Sequence, residues 1–322
     1  MRWAVRRARQ SRSGARWSAS ARAWGLLSAL ASGVALGGCY HGDFLDNACD
    51  KVGTCLVTDS ATTGGTTSES SSSSSSSTTA DVPAVDAYRV QTLTLVDPHV
   101  YYDLGGCGDR TDLLNFAFDD EIKMGGVNMM LVLDPADPSL TKTPLTLTEG
   151  TCDLSGSVPV CTPKDSTLLV MTAAENSADA PCDVTRPETV NPNYSGPNIP
   201  APICFTSPRG TVILPALTPE LSPLVLYDAQ ITAKYGTDAA PVDGLVSGLI
   251  TGFIPESAAR EIDGTISGLP FNLWGTIAGG EGCQQDINNP LDDTDANPSP
   301  ENPERGIQMH MNFTAVRAEW NE

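Results

Sequence analysis

Residues 81–322 predict a mainly β domain, an antiparallel sandwich or barrel tied by disulfides, with one helix packed on it. Three observations point there. Two stretches alternate apolar and polar residues with period two, as a half-buried strand does. Shorter apolar runs rich in branched side chains are separated by clusters of Gly, Pro, Asn and Asp, which mark turns. Eight cysteines fall outside the basic N-terminal region and its apolar run, Cys49, Cys55, Cys107, Cys152, Cys161, Cys182, Cys204 and Cys283, and an even set in an exported chain reads as a disulfide framework. About 240 residues is long for one domain, but all-β units of this size occur.

Taken along the chain, the strand candidates are Arg89–Val96, Leu114–Phe118, Met129–Leu133, Thr167–Thr172, Thr211–Leu214, Val225–Tyr235 and the stretch 307–315. The last has apolar residues at Ile307, Met309, Met311, Phe313 and Ala315, with His310 on its polar face and expected in water. In the 225–235 stretch Val225, Tyr227, Ala229, Ile231, Ala233 and Tyr235 would share one face, and Leu226 alone breaks the pattern. The helix is expected at about 243–254, where Leu245, Val246, Leu249, Ile250, Phe253 and Ile254 follow spacings of three and four. Asp243 would cap it and Pro255 would stop it. Gly244, Gly248 and Gly252 would line one side of that helix.

Spacing also suggests a cysteine pairing. Cys49–Cys55 and Cys152–Cys161 would close locally and Cys182–Cys204 next, leaving Cys107–Cys283 to join the ends of the domain. Closing so long a loop stabilises by roughly 4–5 kcal/mol in the chain-entropy picture. Zinc would instead favour close Cys-x-x-Cys pairs or clustered histidines.

The region before the domain is organised differently. The first 22 residues hold seven arginines and no acid, and an apolar stretch of about 13 residues follows from Ala23 to Ala35. That is short of the ~20 residues a membrane-spanning helix needs. Leu36-Gly37-Gly38-Cys39 then places an aliphatic residue and two small ones before a cysteine. These four residues resemble the lipobox of bacterial lipoproteins. The resemblance implies cleavage after residue 38, acylation of Cys39 and anchoring by two or more acyl chains, each buried methylene contributing roughly 0.8 kcal/mol. Tyr40 stands where an aspartate would retain an enteric lipoprotein in the inner membrane, so the expected location is the cell envelope, at the outer membrane.

The domain plan is therefore a signal peptide over 1–38, a lipid anchor with a small cysteine-bearing segment over 39–57, a tether over 58–80 and the β-rich domain over 81–322. The tether, TDSATTGGTTSESSSSSSSSTTA, has no aliphatic face with which to offset its ordering entropy. As a flexible coil of 23 residues it would span roughly 25 Å, at ~5–6 Å times the square root of its length. Lipobox, cysteine segment, serine/threonine tether and acidic β-domain together resemble uncharacterised surface lipoproteins of myxobacteria, a resemblance of layout that implies no activity.

Charge excludes one class of partner. Seven of the 19 basic residues lie in the signal, leaving 12 against 39 acidic ones, a formal net charge of −27. Nucleic-acid phosphates and anionic headgroups both require Lys or Arg contacts, so nucleic acid is no partner.

Catalytic signals are sparse. Gly-x-Ser-x-Gly, His-Glu-x-x-His and a phosphate-binding loop are missing from the sequence. Of three histidines, His41 lies by the anchor and only His99, in Asp97-Pro-His-Val-Tyr-Tyr-Asp103, is flanked by carboxylates. The densest constellation runs from Asp286 to Glu304, where Asp293, Asp295, Asn297, Glu301 and Glu304 fall at positions 1, 3, 5, 9 and 12 of an EF-hand-like spacing. Alternate oxygen side chains suit calcium, although Pro298 occupies the turn position that needs glycine. Trp274, Trp320, Tyr101 and Tyr102 are the aromatics on which a sugar-stacking platform would rely, a small set for that purpose.

The sequence thus leads to an envelope lipoprotein whose β-domain binds a protein or surface ligand, or plays a structural part, without catalysis. A secreted-type hydrolase, with calcium as a supporting ion, and a small-ligand carrier with a pocket beneath the 243–254 helix are the alternatives.

Overall fold

The computed structural model describes residues 85–186, 196–218, 221–266, 268–277, 280–283, 292–299 and 301–321, with side chains described for all of these except 165–170. The signal segment, Cys39, Cys49, Cys55, the tether and Asp286 lie outside the described residues.

The described residues form thirteen strands: β1 (Asp86–Asp97), β2 (Tyr101–Asp103), β3 (Cys107–Asp109), β4 (Met129–Leu133), β5 (Lys142–Asp153), β6 (Val160–Ser177), β7 (Cys204–Thr206), β8 (Gly210–Leu214), β9 (Leu224–Tyr235), β10 (Gly244–Pro255), β11 (Asp263–Ile266), β12 (Leu269–Asn272) and β13 (Gly306–Trp320). Three helices join them: α1 (Thr111–Met124), α2 (Glu256–Ala259) and α3 (Leu273–Thr276). The main sheet runs β10-β13-β1-β4-β5-β6-β7-β9, and β9 pairs back onto β10, closing an eight-stranded antiparallel barrel with β8 added against β9. Closure removes the exposed edges that an open sheet would have to protect.

The alternation in β13 does what its spacing predicts. Ile307, Met309, Met311, Phe313 and Ala315 all join the interior core, beside Tyr88, Val90, Leu93 and Leu95 of β1. His310 does project from the opposite face, but it is not in water. Its exposure is 0%, because the 181–186 stretch crosses the barrel wall there and the Arg186 backbone N–H donates to His310 Nε2 at 3.3 Å. Farther along, Asn198 reaches the same wall, donating from its backbone to Asn312 Oδ1 at 2.7 Å.

Two elements differ from expectation. The 243–254 stretch is not a helix: it is strand β10, set between β9 and β13. Leu245, Ile250 and Ile254 point into the barrel, while Leu249 and Phe253, on the outer face, are also buried. A strand covered on both faces has no polar side to alternate. A bulge at Val246–Ser247, where Ser247 has φ 50°, shifts the register by one and turns the remaining apolar spacing into threes and fours. Its glycines serve close approach: a Cβ on Gly248 would lie 2.4 Å from the Phe313 ring, and one on Gly252 would lie 2.7 Å from Leu226 Cβ.

Conversely, Leu114–Phe118 is helical and belongs to α1, whose buried Thr111, Leu114, Phe118 and Ile122 repeat at spacings of four and three. Gly125, in the left-handed conformation, ends it, and its backbone N–H donates to the Ile122 carbonyl. Asn115 clips α1 to β1 by bonding both the N–H and the carbonyl of Leu95, at 2.7 and 3.0 Å.

Among the described residues three disulfides are formed, Cys107–Cys283, Cys152–Cys161 and Cys182–Cys204. Cys152 and Cys161 face each other across β5 and β6 and anchor a small second cluster with Met130, Val132, Ala318 and Trp320 outside the barrel. Cys182–Cys204 pins the strap over the wall to β7, and Cys107–Cys283 ties the β2–β3 hairpin to the chain after α3. Among the described residues, no helix is long and apolar enough to cross a membrane.

Candidate functional site

The acidic segment at residues 292–306 is stitched to the barrel by its backbone. Asp295 and Gly306 exchange both N–H···O bonds, at 2.9 and 3.0 Å. Asp295 Oδ2 accepts the backbone N–H of Gln308, whose side chain donates to Thr251 Oγ1 on β10. Arg305 donates to the Asp292 carboxylate and to the Thr294 carbonyl, closing the loop from outside.

This stitching disperses the five oxygen residues that the spacing had grouped for calcium. Asp293 is buried; Asp295 faces β13; Asn297 Oδ1 accepts from Ser299 N; Glu304 Oε1 caps the start of α2 through Ser257 N; Glu301 is exposed. Among the described residues, no group of three or more His, Cys, Asp or Glu side chains is arranged to hold a metal ion.

One member of the set meets a residue from elsewhere. The chain leaving β1 turns past His99, and an isolated bridge between Val100 and Ile277 holds this turn near the end of α3. His99 Nδ1 and Asp109 Oδ2 are 2.6 Å apart, while Asp109 Oδ1 accepts from the backbone N–H and hydroxyl of Thr111, the first residue of α1. Burial works to raise the Asp109 pKa, but the bonds from His99 and Thr111 and the charge of His99 hold it below the ordinary carboxylate value.

Asp293 is buried close to His99, whose backbone and charge both act on it. Burial pushes its pKa up to about 7; the backbone N–H and the charge of His99 oppose this, and Asp295 and Asp292 add to it. Neither Asp293 oxygen makes a well-formed hydrogen bond. The arrangement is an imidazole oriented by one carboxylate, with a second, buried carboxylate near its backbone whose pKa burial raises. Such a pair can orient a base or act as a local charge switch.

On its other flank the segment forms one wall of an open cleft, about 850 Å³ including space open to solvent. Tyr227 and Asp228 of β9 form the second wall, and Phe253 and Pro255 of β10 lie between. Tyr227 belongs here only because β9 bulges. Asp228 sits at φ 48°, so Leu224 and Leu226 point inward before it and Ala229, Ile231, Ala233 and Tyr235 after it. Tyr227, expected on the core face, is turned outward and is 45% exposed. The signal was present as the lone Leu226 out of phase, which marks a bulge rather than a flaw in the alternation.

The aromatics singled out from the sequence are elsewhere. Trp274 is buried beneath the Arg260 guanidinium, 5.4 Å from its ring centre, and Tyr101 is buried in the wall of a narrow apolar slot that Tyr102 also lines. Compared with known proteins, the chain matches no family model, no curated protein and no solved structure.

Proposed function

We propose that this chain is an exported, lipid-anchored envelope protein whose tethered barrel is a non-catalytic binding module, held off the outer membrane by its serine/threonine tether. The observation that carries the reading is the set of three disulfides in the barrel and its straps. Such bonds persist in oxidising compartments and are rare in the cytosol, which agrees with the basic start, short apolar run and Leu36-Gly37-Gly38-Cys39 of the N-terminus. Anchoring at Cys39 would leave the barrel the partner-facing part, and its surplus of carboxylates turns it towards neutral or cationic ligands.

Fractionation of cells producing the full chain tests this. The wild type should sediment with outer membrane, resist high salt and be released by detergent, while Cys39→Ala should leave the membrane fraction. Equal distribution of the two proteins would refute the anchor.

A second reading, a hydrolase, draws on the His99–Asp109 pair. It predicts that hydrolytic turnover found in a broad substrate screen disappears in both His99→Ala and Asp109→Asn; turnover surviving both removes it.

A further inference from the structure

We infer that the cleft that Tyr227 and Asp228 of β9 form with Asn297, Pro298, Ser299 and Asn302 is a carbohydrate-binding site, with Tyr227 as the stacking platform and Asp228, Asn297 and Asn302 as the polar rim. The inference deepens the binding-module reading and rests on it, but does not depend on the lipid anchor.

Four features of the cleft converge on a neutral polyhydroxylated ring. First, a nearly half-exposed tyrosine stands at its edge rather than in the core, put there by a bulge that costs β9 its alternation. The negative face of an aromatic ring attracts weakly positive C–H edges, which one face of a pyranose supplies. Second, both asparagines have committed their carbonyl oxygens: Asn297 to Ser299 N at 2.9 Å and Asn302 to Glu304 N at 3.0 Å. Their amide NH₂ groups are left as donors, with no hydrogen-bond partner among the described residues.

Third, Asp228 is a fixed acceptor. Arg186 and Arg209 hold its Oδ2 at 3.1 and 3.2 Å, which fixes the orientation of the carboxylate, and its Oδ1 has no hydrogen-bond partner among the described residues. Adjacent ring hydroxyls, each a donor and an acceptor, match a rim that offers both. Fourth, the floor is apolar where Phe253 and Pro255 lie, and β10 underneath is buried on both faces. Both arginines near the rim are already paired with Asp228, in a chain whose net charge is −20, so an anionic ligand would find no spare cation there.

The test is saturation-transfer NMR and calorimetry on the purified full-length chain in detergent. The probes are millimolar neutral oligosaccharides (maltoheptaose, cellohexaose and chitohexaose), with tri-alanine and tri-lysine as peptide probes. Transfer to at least one oligosaccharide is expected. Tyr227→Ala should lower its affinity about tenfold, the change that ~1.4 kcal/mol of stacking corresponds to. Asn302→Ala should lower it roughly fivefold, as loss of one hydrogen bond does. Phe116→Ala, an exposed aromatic on α1 away from the cleft, should not change it, and unchanged melting temperatures exclude misfolding as the cause. Affinity unchanged in Tyr227→Ala, or transfer to no oligosaccharide, overturns the carbohydrate assignment. Transfer to the peptides alone overturns it while leaving the binding-module reading intact; no transfer to any probe counts against both.

Discussion

Replacing Gly248 by alanine separates two physical accounts of the 243–254 stretch by the sign of one number. In an exposed helix, Gly→Ala stabilises by ~1 kcal/mol, because glycine loses more backbone entropy on folding. In the barrel the added Cβ would fall 2.4–2.6 Å from three atoms of the Phe313 ring, which is itself 1% exposed and packed in the core. The ring must move by about 1 Å against its neighbours, and overpacking of this kind costs ~1–3 kcal/mol. Melting temperature should fall by roughly 2–12 °C at 2–4 °C per kcal/mol for a domain of this size. The assay is thermal unfolding of the oxidised protein by circular dichroism, with Phe313→Leu and the double variant completing a cycle. Favourable coupling of ~1 kcal/mol or more is expected in the double variant, since leucine vacates the clashing ring positions. Stabilisation by Gly248→Ala, or additivity of the two changes, would refute the placement of β10 against β13.

Three further outcomes follow from the site and its supports. Cys107→Ser with Cys283→Ser removes a link between residues 176 apart in sequence, and should cost roughly 4–5 kcal/mol, read as a fall in denaturant midpoint with a steeper slope as the freed unfolded chain exposes more surface. Asp293 holds its proton in the folded state up to about pH 7 but loses it near 4 when unfolded, so its contribution to stability is full below pH 4 and is lost as pH rises to 7. Asp293→Asn should therefore flatten the stability profile between pH 4 and 7 and stabilise by roughly 1–3 kcal/mol at pH 8, after the cost of burying an amide; an unchanged profile from pH-jump unfolding would contradict the burial argument. Because Asp295 and Glu304 spend oxygens on backbone N–H groups, millimolar calcium should move the melting temperature by less than about 1 °C, where a site held at a hundred times its dissociation constant would add about 2.7 kcal/mol.

Legibility in the sequence followed burial geometry. β13 could be read because over 307–315 one of its faces is apolar and the other polar, whatever later covers the polar one. β10 could not, because a strand buried on both faces loses alternation, and its bulge imitates a helical period. α1 was hidden by too short a window: Leu114–Phe118 fits period two, and only Thr111 and Ile122 at its ends reveal the helical repeat. Two disulfide pairs followed from short spacing, and Cys107–Cys283 as the pair that these left over.

The candidate site was legible only in parts. His99 stood out for its acidic neighbours, yet Asp109, its actual partner, lies beyond the Asp97–Asp103 window and is brought back by the β2–β3 hairpin. The acidic loop stood out for its spacing, but backbone stitching to β13 sends its carboxylates in different directions. Tyr227 was assigned to the core because alternation carries no information about an inserted residue, and one extra residue reverses every side chain before it.

The most direct test of the account is the intact mass of the protein extracted from membranes, measured without reduction and again after reduction and alkylation. The account predicts a chain beginning at Cys39, carrying at least two acyl chains, with none of the remaining eight cysteines alkylated before reduction. A chain that retains residues 1–38 with an unmodified Cys39, or one whose Cys107 and Cys283 are alkylated without reduction, would contradict it.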